Sequence, residues 1–323
     1  MVLTVTINPL LENRIDFNSV TMGKVNRGLS KKYYAGGKGI NVSRQLDYLG
    51  IKNTALLFLG GNNGKILRKV LINENLNFTS VSQKGETRSA TLVVEKKKNR
   101  VTSFFEPGSK LSENEISEFK NKLNKMIQNC SIVIFSGSVP NEEAASIIVH
   151  GIELAHKYDK ISFIDTYGSH LKDCLDAAPT MIHNNIPELE KSLNISLKTE
   201  TEKVKLLKTL YNKGIKLAYI TNGAKATYAS KFDFIYRITS PKIKEIDATG
   251  SGDAFVAGIA YGFEKALVFD EFVKIASALG SLNAARWDVC NVATEEVEKT
   301  ISSVSVKHIG KKMKLLDDSP THS

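Results

Sequence analysis

Val2–Ile7 is a nearly unbroken apolar run, ended by Asn8-Pro9. Such a run predicts a strand buried on both faces. Arg14–Asn18 and Lys31–Tyr34 alternate more loosely, as half-exposed strands do. Glycines interrupt the pattern at residues 35–39. Ile40, Val42, Leu46 and Leu49 then recur near helical spacing, and Gly50 stops that helix. A strand at Thr54–Leu59, a Gly60-Gly61 turn and a helix at Asn63–Asn73 follow. Thr87–Glu95 and Arg100–Phe105 are β-rich runs around Lys96–Asn99, which predicts a hairpin with a solvated, charged tip.

From Leu111 the alternation becomes regular. Helix Glu113–Gln128 leads to strand Ser131–Phe135, and helix Glu142–Tyr158 to strand Ile161–Asp165. Strand Thr180–His183 precedes helices Pro187–Leu193 and Glu200–Asn212 and strand Ile215–Thr221. A strand pair (Ala226–Ser230, Phe234–Ile238) comes next, then helices Gly252–Ala266, Asp270–Ala285 and Thr294–Ser302. Strands separated by helices imply parallel pairing in a sheet covered on both faces, hence an α/β fold. Residues 1–304 read as one such domain, and 305–323 as a loosely held tail without apolar period. The segments near 10–34 and 87–105 do not fit the parallel sheet. They are expected to pair into a small antiparallel sheet lying over the site as a lid. Ligands of open α/β sheets sit beyond the carboxyl ends of the strands. Asn8, Gly60, Ser136, Asp165, Asn185 and Thr221 hold those positions.

Composition narrows the classes. Lys and Arg exceed Asp and Glu by 44 − 34 = 10, which permits anionic partners. The basic residues are dispersed and no helix-turn-helix, ribonucleoprotein or zinc pattern is present, so nucleic acid is not an expected partner. Three widely spaced cysteines make neither a disulfide framework nor a zinc knuckle, and suit a reducing cytoplasm. The N-terminus lacks a basic region and a cleavage site, so no signal peptide is expected. No apolar stretch approaches the ~18 residues a membrane span needs.

The sharpest chemistry lies in Asp247-Ala248-Thr249-Gly250-Ser251-Gly252-Asp253, which opens a long apolar helix. Glycines let main-chain N–H groups turn toward one point, and the helix N-terminus adds partial positive charge. The combination makes an anion pocket, whose field should hold Asp253 ionised and ready to accept a proton. Gly36-Gly37-Lys38-Gly39-Ile40-Asn41 repeats the arrangement with a lysine inside the turn. This second segment has the spacing neither of a P-loop nor of a dinucleotide fingerprint.

The two segments together resemble the signature of the ribokinase-like PfkB carbohydrate kinases. Asn8-Pro9, Val25-Asn26-Arg27, Gly85-Glu86-Thr87-Arg88, Ser136-Gly137-Ser138-Val139-Pro140 and Asn185-x-x-Glu188 fall in that family's order over roughly residues 1–300. The variants resemble the subgroup acting on ketohexose phosphates, 1-phosphofructokinase and tagatose-6-phosphate kinase. The resemblance implies a three-layer α/β/α sandwich with a β lid, and ATP with Mg²⁺ as cofactors. It implies Asp253 as base, with Gly250, Ser251 and Gly252 donating N–H groups to the migrating phosphoryl. Lys38 and Arg88 would anchor the acceptor's phosphate, with Arg27 and Arg44 as weaker candidates. Glu12, Gly37, Gly39, Asn41 and Ser136 would complete the acceptor site. Thr221, Gly223, Asn185, Gly250, Gly252 and Asn283 would meet ATP. Asn185 and Glu188 would lie near the metal, through water; taken alone they also read as a helix cap. Three segments depart from the family's pattern: Glu12 replaces its Asp, His183-Asn184 replaces its Lys-Pro, and Thr221-Asn222-Gly223 replaces its Ser-Leu-Gly. Exposed lid edges lead us to expect a homodimer formed through the lid.

Overall fold

The first apolar run becomes β1 (Val2–Thr6), buried along its whole length. In the computed structural model, which describes residues 1–310, this strand lies inside a ten-stranded sheet. The chain leaves β1 for β2 (Leu10–Phe17) and β3 (Ser30–Gly36), and returns through α1 (Lys38–Tyr48) to β4 (Asn53–Leu59). Helix α2 (Gly61–Asn73) leads to β5 (Phe78–Ser82). A second excursion forms β6 (Ser89–Glu95) and β7 (Arg100–Phe105), joined by a charged turn at Lys96–Lys98. Helix α3 (Glu113–Ile127), β8 (Ile132–Ser136), α4 (Ser146–Lys157), β9 (Ile161–Asp165), α5 (Leu171–Asp176) and β10 (Met181–Asn185) follow. Helices α6 (Ile186–Leu193) and α7 (Glu200–Asn212) precede β11 (Leu217–Thr221), β12 (Thr227–Lys231) and β13 (Phe234–Thr239). Helices α8 (Ser251–Glu264), α9 (Phe269–Ala284) and α10 (Thr294–Thr300) lead to β14 (Ser305–His308).

The order across the large sheet is β14-β13-β12-β11-β10-β9-β8-β1-β4-β5. Strands β5 through β11 in that order are parallel, and β12–β14 extend the sheet antiparallel. Alternate residues of the central strands feed two cores. Leu3 and Val5 of β1 and Val133 and Phe135 of β8 pack toward α3 and α4. Val2, Ile132 and Ile134 pack toward α1, α8 and α9. The result is a three-layer α/β/α sandwich, as two-sided burial of parallel strands requires.

The two excursions form the lid, in order β3-β2-β6-β7. Its outer pairs are antiparallel, whereas β2 and β6 pair in parallel, Leu11 opposite Ser89. Both excursions therefore run in the same direction where they meet.

Three elements escaped the sequence pattern. Strand β5 (FTSVS) is a half-buried edge, so its polar residues give no apolar run. Helix α5 has only six residues, too few to show a period. Ser305–His308, expected in a loose tail, instead pairs with β13 as an edge strand, held by main-chain hydrogen bonds that need no apolar side chains. The rest of that tail, 311–323, lies outside the described residues. No helix among the described residues is long and apolar enough to cross a membrane.

Candidate active site

Strand order reverses at β1: the chain goes outward to β4 and β5 on one side and to β8–β11 on the other. Doubly wound sheets bind ligands beyond the carboxyl ends at such a point. There the ends of β8, β9 and β11 present Ser136, Asp165 and Thr221, and β10 presents His183 two residues before its end.

Asp165 is the hub. Fully buried, it accepts hydrogen bonds from Ser136 Oγ at 2.7 Å and Lys38 Nζ at 3.3 Å. His183 Nδ1 lies 3.0 Å from the same carboxylate, and His183 Nε2 lies 3.1 Å from Thr221 Oγ1. Lys38 Nζ also donates to Glu188 Oε1 at 2.8 Å. Burial works against the lysine's charge, but Asp165 and Glu188 overcome it and hold its pKa above the ordinary value. Lys38, expected to reach the acceptor's phosphate, is thus committed to two carboxylates. Asn185 and Glu188 form a reciprocal cap on α6. Asn185 Oδ1 accepts the Glu188 N–H at 2.9 Å, and Glu188 Oε2 accepts the Asn185 N–H at 3.2 Å.

The glycine turn before α8 supplies the second half. Gly250 has φ 78°, and a Cβ there would lie 2.2 Å from Val289 Cγ1, so only glycine fits. The Ser251 N–H is spent on the Ala248 carbonyl at 3.1 Å, contrary to its expected role as a phosphoryl donor. The N–H groups of Gly250, Gly252 and Asp253 have no protein acceptor among the described residues. Asn283, expected at the adenine, is buried. It donates to the Thr249 carbonyl at 2.7 Å and accepts from the Cys290 N–H at 2.7 Å, so it holds the turn from behind.

Asp253 is 4% exposed. Asn41 Nδ2 donates to it at 2.7 Å, and Arg44 Nη1 fixes Asn41 by donating to its Oδ1 at 2.8 Å. The sequence reading held Asp253 ionised by the helix terminus. Burial outweighs that field: it raises the carboxyl to about 7, against the lowering charge of Lys38 and with a further raising contribution from Asp165. Lys38 and Asp253 therefore sense one another, and the two glycine turns converge.

The remaining expected residues spread over the lid and its hinge. Gly37 is the N-cap of α1, and Gly39 is buried in its first turn. Arg88 Nη2 donates to the Asn8 carbonyl at 3.1 Å, leaving its Nε buried and unpartnered. Glu12 borders a cavity of about 480 Å³ between lid and body. Burial raises its carboxyl to about 7, against the opposing charge of Arg44. Arg27 stays on the exposed loop before β3, without a polar partner among the described residues, and is not drawn into this network. Gly223 follows Thr221 in a turn at φ 53°.

The profile of the pfkB family carbohydrate kinases matches residues 10–295. The chain belongs to that family. A 1-phosphofructokinase of Borreliella burgdorferi is 31% identical over 96% of this chain and 99% of its own. A tagatose-6-phosphate kinase of Staphylococcus epidermidis is 28% identical over 95% of this chain and 99% of its own. A crystal structure from Thermotoga maritima, described as a possible 1-phosphofructokinase, superposes with a TM-score of 0.87 at 25% identity. It covers 96% of this chain and 99% of its own. Membership in the pfkB family makes the protein a carbohydrate kinase, with ATP as co-substrate.

Sequence reading missed the hub itself. In the sequence Asp165 is only a strand end, and its meeting with Lys38 and His183 is long-range. The signal available was positional: adjacent parallel strands place their last residues side by side.

Proposed function

We propose that the protein phosphorylates a ketohexose phosphate, with fructose 1-phosphate the favoured acceptor and fructose 1,6-bisphosphate the product. The supporting observation is Asp253, raised to about 7 beside a helix terminus with open main-chain donors. A base works best when its pKa lies near the operating pH. Asp253 takes the proton of the acceptor hydroxyl as that oxygen bonds to the terminal phosphorus of ATP. The bond from phosphorus to the ADP oxygen breaks in line. The Gly250 and Gly252 amides receive the charge on the migrating group, a contribution of about 3–4 kcal/mol per donor in comparable sites. Glu12, Gly37, Gly39, Asn41, Arg88 and Ser136 form the acceptor side. Thr221 and Gly223 form the nucleotide side.

Mg²⁺ fits the oxygen donors of Asn185 and Glu188 in an outer role. Glu188 already accepts from Lys38 and from the Asn185 N–H, which favours contact through the waters Mg²⁺ retains. When bound, the ion offsets phosphate charge on the nucleotide.

Tagatose 6-phosphate, giving tagatose 1,6-bisphosphate, is the second reading, favoured by the Staphylococcus epidermidis relative. A coupled assay of ADP release over fructose 1-phosphate, fructose 6-phosphate, tagatose 6-phosphate, ribose and adenosine decides between them. Turnover is expected on the ketohexose phosphates. Turnover confined to ribose or adenosine refutes the reading.

The lid's outer strand β7 exposes Phe104 at 58% and Phe105 at 62%. An apolar sheet edge of this kind is protected by pairing, and we assign it to a homodimer. Light scattering is expected to show a mass above 35.6 kDa; particles of only that mass refute the dimer. The three cysteines are buried and unpaired, which supports placing the protein in a reducing cytoplasm.

A further inference from the structure

Neither Lys38, whose ammonium donates to two carboxylates, nor Arg88, whose Nη2 donates to the Asn8 carbonyl, borders the lid cavity, so a phosphate held there needs another cation. Side chains two apart on a strand share a face. Glu12 and Arg14 of β2 therefore point to the same side of the lid, opposite Tyr34 and Lys32 of β3. All four line the cavity, whose far wall includes Asn41, the partner of Asp253.

Three cations border that space: Arg14, Lys32 and Arg44. Arg44 is fully used. Its Nε donates to Glu74, its Nη1 to Asn41 and its Nη2 to the Ala35 carbonyl, at 2.7–2.9 Å. Arg14 is not. Its Nε makes one long contact of 3.4 Å to Asp16, and its two Nη groups have no acceptor among the described residues. Asp16 is itself shared with Lys96 at 3.3 Å and Ser30 at 3.1 Å, so it neutralises Arg14 incompletely. The guanidinium carbon lies 5.9 Å from the Tyr34 ring centre and 5.7 Å from that of Trp287. Packing between rings orients the fork and leaves its N–H edge available, the arrangement that suits bidentate phosphate recognition. Of the facing acids, Glu74 is paired with Arg44, Asp247 accepts from Thr249, Asp288 is exposed, and Glu12, on the same face as Arg14, is held toward its neutral form by burial.

We infer that Arg14, with Lys32 beside it, binds the phosphate of the acceptor and sets the preference for phosphorylated over free sugars. The inference rests on the sugar-phosphate reading above and names the residue that makes it selective.

Arg14→Gln and Arg14→Lys are compared with the wild type on fructose 1-phosphate and on fructose. The ratio of kcat/KM for fructose 1-phosphate over fructose is expected to fall about 10- to 100-fold in Arg14→Gln. The fall comes through KM, with KM for ATP unmoved. Arg14→Lys, which keeps charge without the fork, should retain part of the ratio. An unchanged ratio in both variants overturns the inference while the kinase reading stands. If the wild type turns over no sugar phosphate, the kinase reading fails, and binding decides. Trp287 is the chain's single tryptophan, and it abuts Arg14. Its fluorescence is expected to change on titration with inorganic phosphate in the wild type and not in Arg14→Gln. No change in the wild type overturns the site.

Discussion

Asp253→Asn is expected to lower kcat by about 10³-fold, within the range general-base assistance covers. KM for ATP should hardly move. The amide keeps the Asn41 contact region filled and removes only the proton acceptor. The wild type carries a second signature. With its carboxyl raised by burial from 3.8 to about 7, kcat/KM should climb with pH through about 7 and level above it. Stability runs the other way. A buried carboxyl with a raised pKa binds its proton more tightly folded than unfolded, so it withdraws stability as pH rises from about 4 to about 7 and it ionises. The Tm of Asp253→Asn relative to the wild type should therefore rise across that interval. A variant that retains full turnover would remove Asp253 from the reaction.

Asp165→Asn should be the most damaging change to folding. It leaves the Lys38 ammonium with Glu188 alone, and His183 and Ser136 without their anion. Breaking a buried charge pair typically costs about 3–5 kcal/mol, read as a lower urea midpoint at neutral pH. Burial would raise the Asp165 carboxyl, but Lys38 and His183 more than reverse this and hold it below the ordinary value. Its contribution is thus complete above the unfolded pKa of about 3.9 and fades as pH falls below it. The gap between wild type and variant should narrow in acid. A midpoint unchanged at pH 7 would show that the hub carries no stability.

Much of this architecture was legible because its causes are local. Strand Ile161–Asp165 and helix Glu200–Asn212 are read to the residue. The first is bounded by the end of its apolar run, the second by a Thr199–Glu202 capping box. The glycine turns at Gly37 and Gly250 were legible for the same reason. What failed depended on distance. Nothing near Lys38 in sequence announces Asp165 or Glu188 as its partners. The ionisation of Asp253 failed through magnitude rather than location: the helix terminus offers a fraction of a charge, and complete burial costs more.

The parallel seam of the lid has a consequence for assembly. Leu11 must wait for Ser89 before the two hairpins join, and contacts between such distant stretches form late. By then β1, β4 and β5 are available to one another through shorter connections. By sequence separation the β1–β4–β5 half of the floor precedes the roof, and its junction with β8, Val2 opposite Ile132, follows it, so the complete cleft that shelters phosphoryl transfer from water is among the last features the enzyme acquires.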